Sequence, residues 1–158
     1  MAGFVIRGGR PDDAPAMARL FAAVAAERDR IGTEPPVDID ERSEHFARSA
    51  ASSMVAEAGG LVVGMVNVDV GRFGAGEIGM LVDAGWRGRG VGSGLMEAAI
   101  EWARAEGLHK LCLEVFPANA PALALYRKCG FVEEGRRVKQ YRRTSGEYWD
   151  SIAMGLVL

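Results

Sequence analysis

The sequence is poor in the residues that build covalent or metal frameworks: two cysteines and two histidines in 158 residues. Cys112 and Cys129 have no CxxC partner, and neither they nor His45 and His109 show metal-ligand spacing, so no disulfide scaffold and no metal site is expected. Cys112 lies within Leu111-Cys112-Leu113 and should be a buried small hydrophobe. Such sparse thiols fit a reducing, cytoplasmic setting. No apolar run approaches the ~20 residues of a membrane span, and Met1 to Arg10 lacks the apolar centre of a signal peptide. Excess charge of one sign is missing too. Nineteen Lys and Arg face 21 Asp and Glu, a net charge of −2, which excludes a global field for nucleic acid or an acidic membrane. One basic cluster exists, Arg136, Arg137, Lys139, Arg142 and Arg143. Glu133, Glu134 and Glu147 surround it, so it reads as a solvated strand face.

What is present is a patterned chain of one-domain length, residues 1–158. Phe4 to Arg7 reads as a first strand. Pro11-Asp12-Asp13 reads as a helix start, with Met17, Leu20, Phe21 and Val24 at helical spacing behind it. Gly32 and Pro35-Pro36 mark a loop, and Ile39 to Ser49 a second helix anchored by Phe46. Strands are expected at Met54 to Glu57, Leu61 to Val70 and Glu77 to Val82, with turns at Gly59-Gly60 and Gly71 to Gly76. Val91 to Ala105 is an amphipathic helix closed by Gly107. Lys110 to Val115 is a short apolar strand, and Ala120 to Lys128 a short helix closed by Gly130. Phe131 to Arg143 and Tyr148 to Leu158 form a last hairpin. The order β-α-α-β-β-β-α-β-α-β-β implies an α/β fold with a mixed sheet and one parallel βαβ crossover. The apolar closing strand, Ile152 to Leu158, suits an interface edge.

The densest signal is the run Val82-Asp83-Ala84-Gly85-Trp86-Arg87-Gly88-Arg89-Gly90-Val91-Gly92-Ser93-Gly94, between a strand and a helix. Free amides at a helix start attract an anion. Arg87 and Arg89 add donors suited to phosphate. Three phosphate patterns compete. A Walker A loop needs Lys then Ser or Thr after its last Gly, and here no Lys follows Gly92. The dinucleotide fingerprint begins at Gly88-Arg89-Gly90 but meets Ser93 where its third Gly belongs. Glu114, near the end of the next strand, keeps a dinucleotide-binding oxidoreductase as an alternative. Against it stand the long turn after Val82 and the single parallel unit. The third pattern, Arg-x-x-Gly-x-Gly, is met by Arg87 to Gly92.

With a strand before it, a full helix after it, and then Phe116-Pro117-Ala118-Asn119 and Ala124-Leu125-Tyr126-Arg127-Lys128-Cys129-Gly130-Phe131, this arrangement resembles the GNAT superfamily of acyl-CoA-dependent N-acetyltransferases. The likeness covers nearly the whole chain and is best from Glu77 to Phe131. It implies that the amides of Arg87, Gly88, Arg89, Gly90, Val91, Gly92 and Ser93 hold the pyrophosphate of acetyl-CoA. It implies a strand splayed at a bulge, with the pantetheine arm between Met80-Leu81-Val82 and Leu113-Glu114-Val115 and a free N–H near Leu81 or Val82 polarising the thioester. Asn119 would cap the next helix and bond the CoA arm. Tyr126 would be the general acid toward the thiolate. Glu77 is the candidate base, with Glu34 and Glu114 as substitutes. The acceptor, a small-molecule or protein amine, would meet Glu27, Glu34 and Pro35-Pro36 from the helical pair and Tyr141, Tyr148 and Trp149 from the last hairpin. The resemblance also implies no metal and direct attack without an acyl-enzyme; a homodimer is common among such proteins, and the oligomeric state stays open. A non-catalytic CoA-binding regulatory module is the remaining alternative, disfavoured by the presence of both Tyr126 and Glu77.

Overall fold

A computed structural model describes residues 3–158. Eleven regular elements follow the expected order: β1 (Val5–Gly8), α1 (Ala14–Ala25), α2 (Ile39–Arg48), β2 (Ser53–Ala58), β3 (Leu61–Val70), β4 (Ala75–Val82), α3 (Val91–Ala105), β5 (Lys110–Val115), α4 (Ala120–Lys128), β6 (Val132–Arg142) and β7 (Tyr148–Val157). The strands form one sheet in the order β1-β2-β3-β4-β5-β7-β6. Among the described residues only β4 and β5 are parallel, as the α3 crossover requires.

The alternation of the strands sends two sets of side chains to opposite faces. On one face, Met54, Val66, Val68, Ile78, Leu111, Leu113 and Met154 pack against Leu95, Met96, Ala99 and Ala103 of α3 and Leu123 and Tyr126 of α4. On the other, Val55, Met65 and Leu81 meet Met17, Leu20 and Val24 of α1 and Phe46 of α2. Each fully buried Leu or Met contributes roughly 1.5–3 kcal/mol. The start of α3 lies directly on β3 at Gly64, where a Cβ would come within 2.8 Å of Val91 Cγ1 and 3.0 Å of Leu95 Cδ1. That close approach fixes the height of the glycine-rich loop above the sheet.

Three expectations are corrected. The closing strand is no edge: β7 sits between β5 and β6, so its apolar run is spent on sheet pairing, and β6 is the edge. Cys112 is only half-buried, because β5 turns Leu111, Leu113 and Val115 to the helical core and leaves Cys112 beside Glu114 on the opposite face. The basic cluster is solvated except for Arg143, which is buried at 4% exposure. The start at Pro11 is a 3-10 turn leading into α1, held by Asp13, whose carboxylate accepts two 2.8 Å hydrogen bonds from Arg7.

Candidate active site

β4 and β5 pair only at Ala75–Lys110, Gly76–Leu111 and Glu77–Cys112. Beyond Glu77 they part. β4 stays with β3 to Val82 in unbroken register, while β5 stays with β7 to Val115. The sheet therefore splits because each strand follows its other neighbour, and the expected bulge is not needed. The Asp83 amide donates to Val63 of β3. By strand alternation the amides of Val82 and Met80 then face the gap. A cavity of about 510 Å³ occupies the gap and runs to the glycine-rich loop.

At the loop end, Gly88 and Gly90 adopt φ of +71° and +88°, a region open to glycine at little cost. Gly90 is the N-cap of α3, no side chain caps this helix, and its first turn has no acidic residue. The first-turn amides are therefore free for an anion. Gly88, Gly90, Gly92 and Ser93 line the cavity. Val91 is buried in the core and contributes backbone alone. The two arginines of the motif are occupied. Arg87 gives two 2.6 Å hydrogen bonds to Glu27 and one of 3.1 Å to the Val82 carbonyl. This bond to Glu27 is the chief cause that raises the Arg87 pKa and lowers that of Glu27. Arg89 stacks on Trp86 at 4.0 Å, outside the cavity lining.

Tyr126 comes from α4, is buried and is among the lining residues. Burial pushes its pKa up to about 12, so it is a neutral O–H donor at physiological pH. Asn119 caps α4, accepting from the Ala122 amide at 3.4 Å, and also lines the cavity. At the opposite end stand Glu77 and Glu114, Ile31 and Gly32 of the α1–α2 loop, Phe116 and Tyr141. Glu114 accepts from Ser151 at 2.8 Å and from Tyr141 at 3.5 Å, with Arg137 at 3.5 Å. Burial first, then Glu114, raises the Tyr141 pKa. Glu77 is exposed.

The cavity thus brings together Glu77, Met80, Leu81, Val82, Arg87, Gly88, Gly90, Gly92, Ser93, Asn119 and Tyr126. It does not bring in Glu27, Glu34, Tyr148 or Trp149. Glu27 belongs to Arg87, and Glu34 accepts from the Thr144 amide at 2.7 Å and its hydroxyl at 2.9 Å. Tyr148 lies on the outer hairpin beside Arg142 and Lys139. Sequence reasoning gives no site role to Arg30, Gly32, Phe116 or Ser151, although Gly32 marks a loop, Phe116 opens the Phe-Pro-Ala-Asn pattern and Ser151 is a small polar residue at the head of the apolar run of β7.

A family model described as acetyltransferase (GNAT) family matches residues 18–131, which include every lining residue but Tyr141 and Ser151. The chain belongs to the GNAT family. It is 33% identical to the L-amino acid N-acetyltransferase AaaT of Escherichia coli strain K12, over 99% of each chain. Its structure resembles that of a GNAT-family acetyltransferase from Streptococcus pneumoniae, with a TM-score of 0.87 at 28% identity over 99% of this chain and 100% of the other. It has the same fold as a phosphinothricin acetyltransferase from Sinorhizobium meliloti solved with acetyl-CoA, with a TM-score of 0.88 at 19% identity over 98% of this chain and 88% of that one. The chain is an acetyl-CoA-dependent N-acetyltransferase that transfers acetyl to an amine. Its free loop amides and open strand edge suit a pyrophosphate and a pantetheine arm. The dinucleotide reading falls with this family membership.

Proposed function

We propose that the chain acetylates a small amine of the L-amino acid type by direct attack on the thioester, with Tyr126 as acid and Glu77 as base. The observation that carries this reading is the arrangement of the cavity, with a neutral tyrosine hydroxyl on one side of the strand split and carboxylates on the other. Amides of residues 87–93 hold the pyrophosphate, and those of Met80 and Val82 pair with the donor arm and polarise the thioester oxygen. Asn119 keeps its helix cap and has donor capacity left for the arm. Glu77 takes the ammonium proton directly or through water, and Tyr126 donates to the departing thiolate. Glu114 is less suited to be the base, since Ser151, Tyr141 and Arg137 already occupy it. Neither Cys112 nor Cys129 lines the cavity, which supports transfer without an acyl-cysteine. Dependence on acetyl-CoA supports a cytoplasmic location.

Two features favour an amino acid. The relative named above acetylates L-amino acids by its name. Arg30 lines the same cavity; its Nε has no hydrogen-bond partner among the described residues but lies 3.6 Å from Asp29 and 3.8 Å from Glu27, and its Nη1 donates to Asn119 at 3.4 Å, while Glu77 and Glu114 supply negative charge. A zwitterion satisfies both signs. The test is thiol release from acetyl-CoA with L-amino acids, their decarboxylated amines, polyamines, aminoglycosides and peptide N-termini. Turnover highest for L-amino acids is expected; turnover confined to polyamines or peptides would overturn the acceptor class, and none with any amine would favour the regulatory module.

A further inference from the structure

We propose that Arg143 is a positioning residue that holds the 28–34 segment as a wall of the acceptor end of the cavity, an inference that rests on the acceptor binding beside Glu77 and Glu114. Arg143 follows β6, and its side chain is 2% exposed. Its Nη1 donates to the Gly32 carbonyl at 2.9 Å and its Nη2 to the Arg28 carbonyl at 2.8 Å. Its guanidinium lies 4.4 Å from the Trp149 ring centroid and 5.3 Å from that of Phe116. The buried Nε has no hydrogen-bond partner among the described residues. A buried cation set between aromatic faces and two main-chain carbonyls, with the Glu34 carboxylate 3.9 Å from Nη2, is anchored in direction as well as place.

The carbonyls it grips belong to the loop that carries Ile31 and Gly32 into the cavity. Gly32 lies flat on Tyr141, another lining residue, so closely that a Cβ there would come within 2.6 Å of Tyr141 Cε1. Glu34 closes the far end of the segment on Thr144. Phe116 in turn packs edge-on to Tyr141, with ring centroids 5.1 Å apart. Arg143 therefore joins the loop, the last hairpin and the aromatic wall of the acceptor end, and touches neither the glycine-rich loop nor Tyr126. Lysine has one point charge where arginine has a planar fork, so it cannot hold both carbonyls and both rings.

The test uses Arg143→Lys and Arg143→Met, with kinetics on the best acceptor of the amine panel and hydrogen exchange on the whole protein. Acceptor KM should rise about tenfold, while KM for acetyl-CoA should change by less than about twofold and kcat by less than about threefold. Amides of residues 28–34 should exchange about tenfold faster, with α3 and β5 unchanged. Gly32→Ala, which keeps Arg143 but pushes the loop from Tyr141, should raise acceptor KM in the same selective way and serves if the Arg143 variants do not fold. Wild-type acceptor KM and exchange in the lysine and alanine variants would overturn the proposal, as would both KM values rising together. An absence of turnover with every amine would fail the functional reading alone, and exchange would still decide the loop.

Discussion

Glu27, just past the end of α1, and Arg87, in the glycine-rich loop, are joined by two 2.6 Å hydrogen bonds. The pair converts an arginine of the phosphate motif into a strut. Arg87 also holds the Val82 carbonyl, so one side chain ties the loop to α1 and to the end of β4. Glu27→Gln removes the charge but keeps the shape. Its acetyl-CoA KM should rise about threefold to tenfold, as loss of a partly exposed charged pair costs on the order of 1 kcal/mol. Its kcat at saturating donor should hold. Steady-state kinetics with varied acetyl-CoA checks this, and an unchanged KM would show that the loop stands without the strut.

Tyr126 is held neutral by burial, with a pKa pushed up to about 12. Tyr126→Phe keeps the packing on Phe131 and removes only the hydroxyl. Turnover should fall at least about tenfold. The wild-type rate should show no loss attributable to this tyrosine until well above pH 10, because only then does it ionise. A variant with wild-type kcat across that range would remove Tyr126 from the chemistry.

Asp13 makes a separate prediction about stability. Its pKa is lowered, chiefly by hydrogen bonds from Arg7 and against the opposing effect of burial. A carboxylate with a depressed folded pKa contributes stability above its unfolded value, and that contribution is lost as pH falls through the folded value. Asp13→Asn should therefore destabilise the protein by about 1–3 kcal/mol at neutral pH. The gap between wild type and variant should narrow below about pH 4. Urea unfolding at a series of pH values measures it; a gap independent of pH would mean the Arg7 pair contributes nothing.

The order of elements and the place of the glycine-rich loop were readable because both depend on local pattern: alternation, helical spacing, and glycines between a strand and a helix. That Tyr126 and Asn119 share a cavity with that loop was readable through their place in a family arrangement. What was not readable depends on pairing across the chain. The apolar run of β7 looks like an edge, and only the sheet order shows that β6 covers it. Arg143 looks like the end of a solvated cluster, but its partners are carbonyls at Arg28 and Gly32. Glu27 and Glu34 look like acidic lining until Arg87 and Thr144 are seen to hold them. A charged residue's role is set by the nearest opposite charge or free donor, and sequence distance hides that neighbour.

Glu77 stands at the last position of β4 paired with β5 before the split, exposed and lining the cavity. Glu114 faces the same cavity but is taken up by Ser151, Tyr141 and Arg137. If Glu77 is the base, Glu77→Gln should lower kcat/KM by about tenfold or more at neutral pH. The deficit should shrink as pH rises, since a growing share of the acceptor is then already neutral and needs no base. Glu114→Gln should instead act mainly through acceptor KM, because it frees Tyr141 and Ser151 in the wall. A pH–rate profile of both variants decides between them: a loss confined to Glu114→Gln that closes at high pH would transfer the base role to that residue.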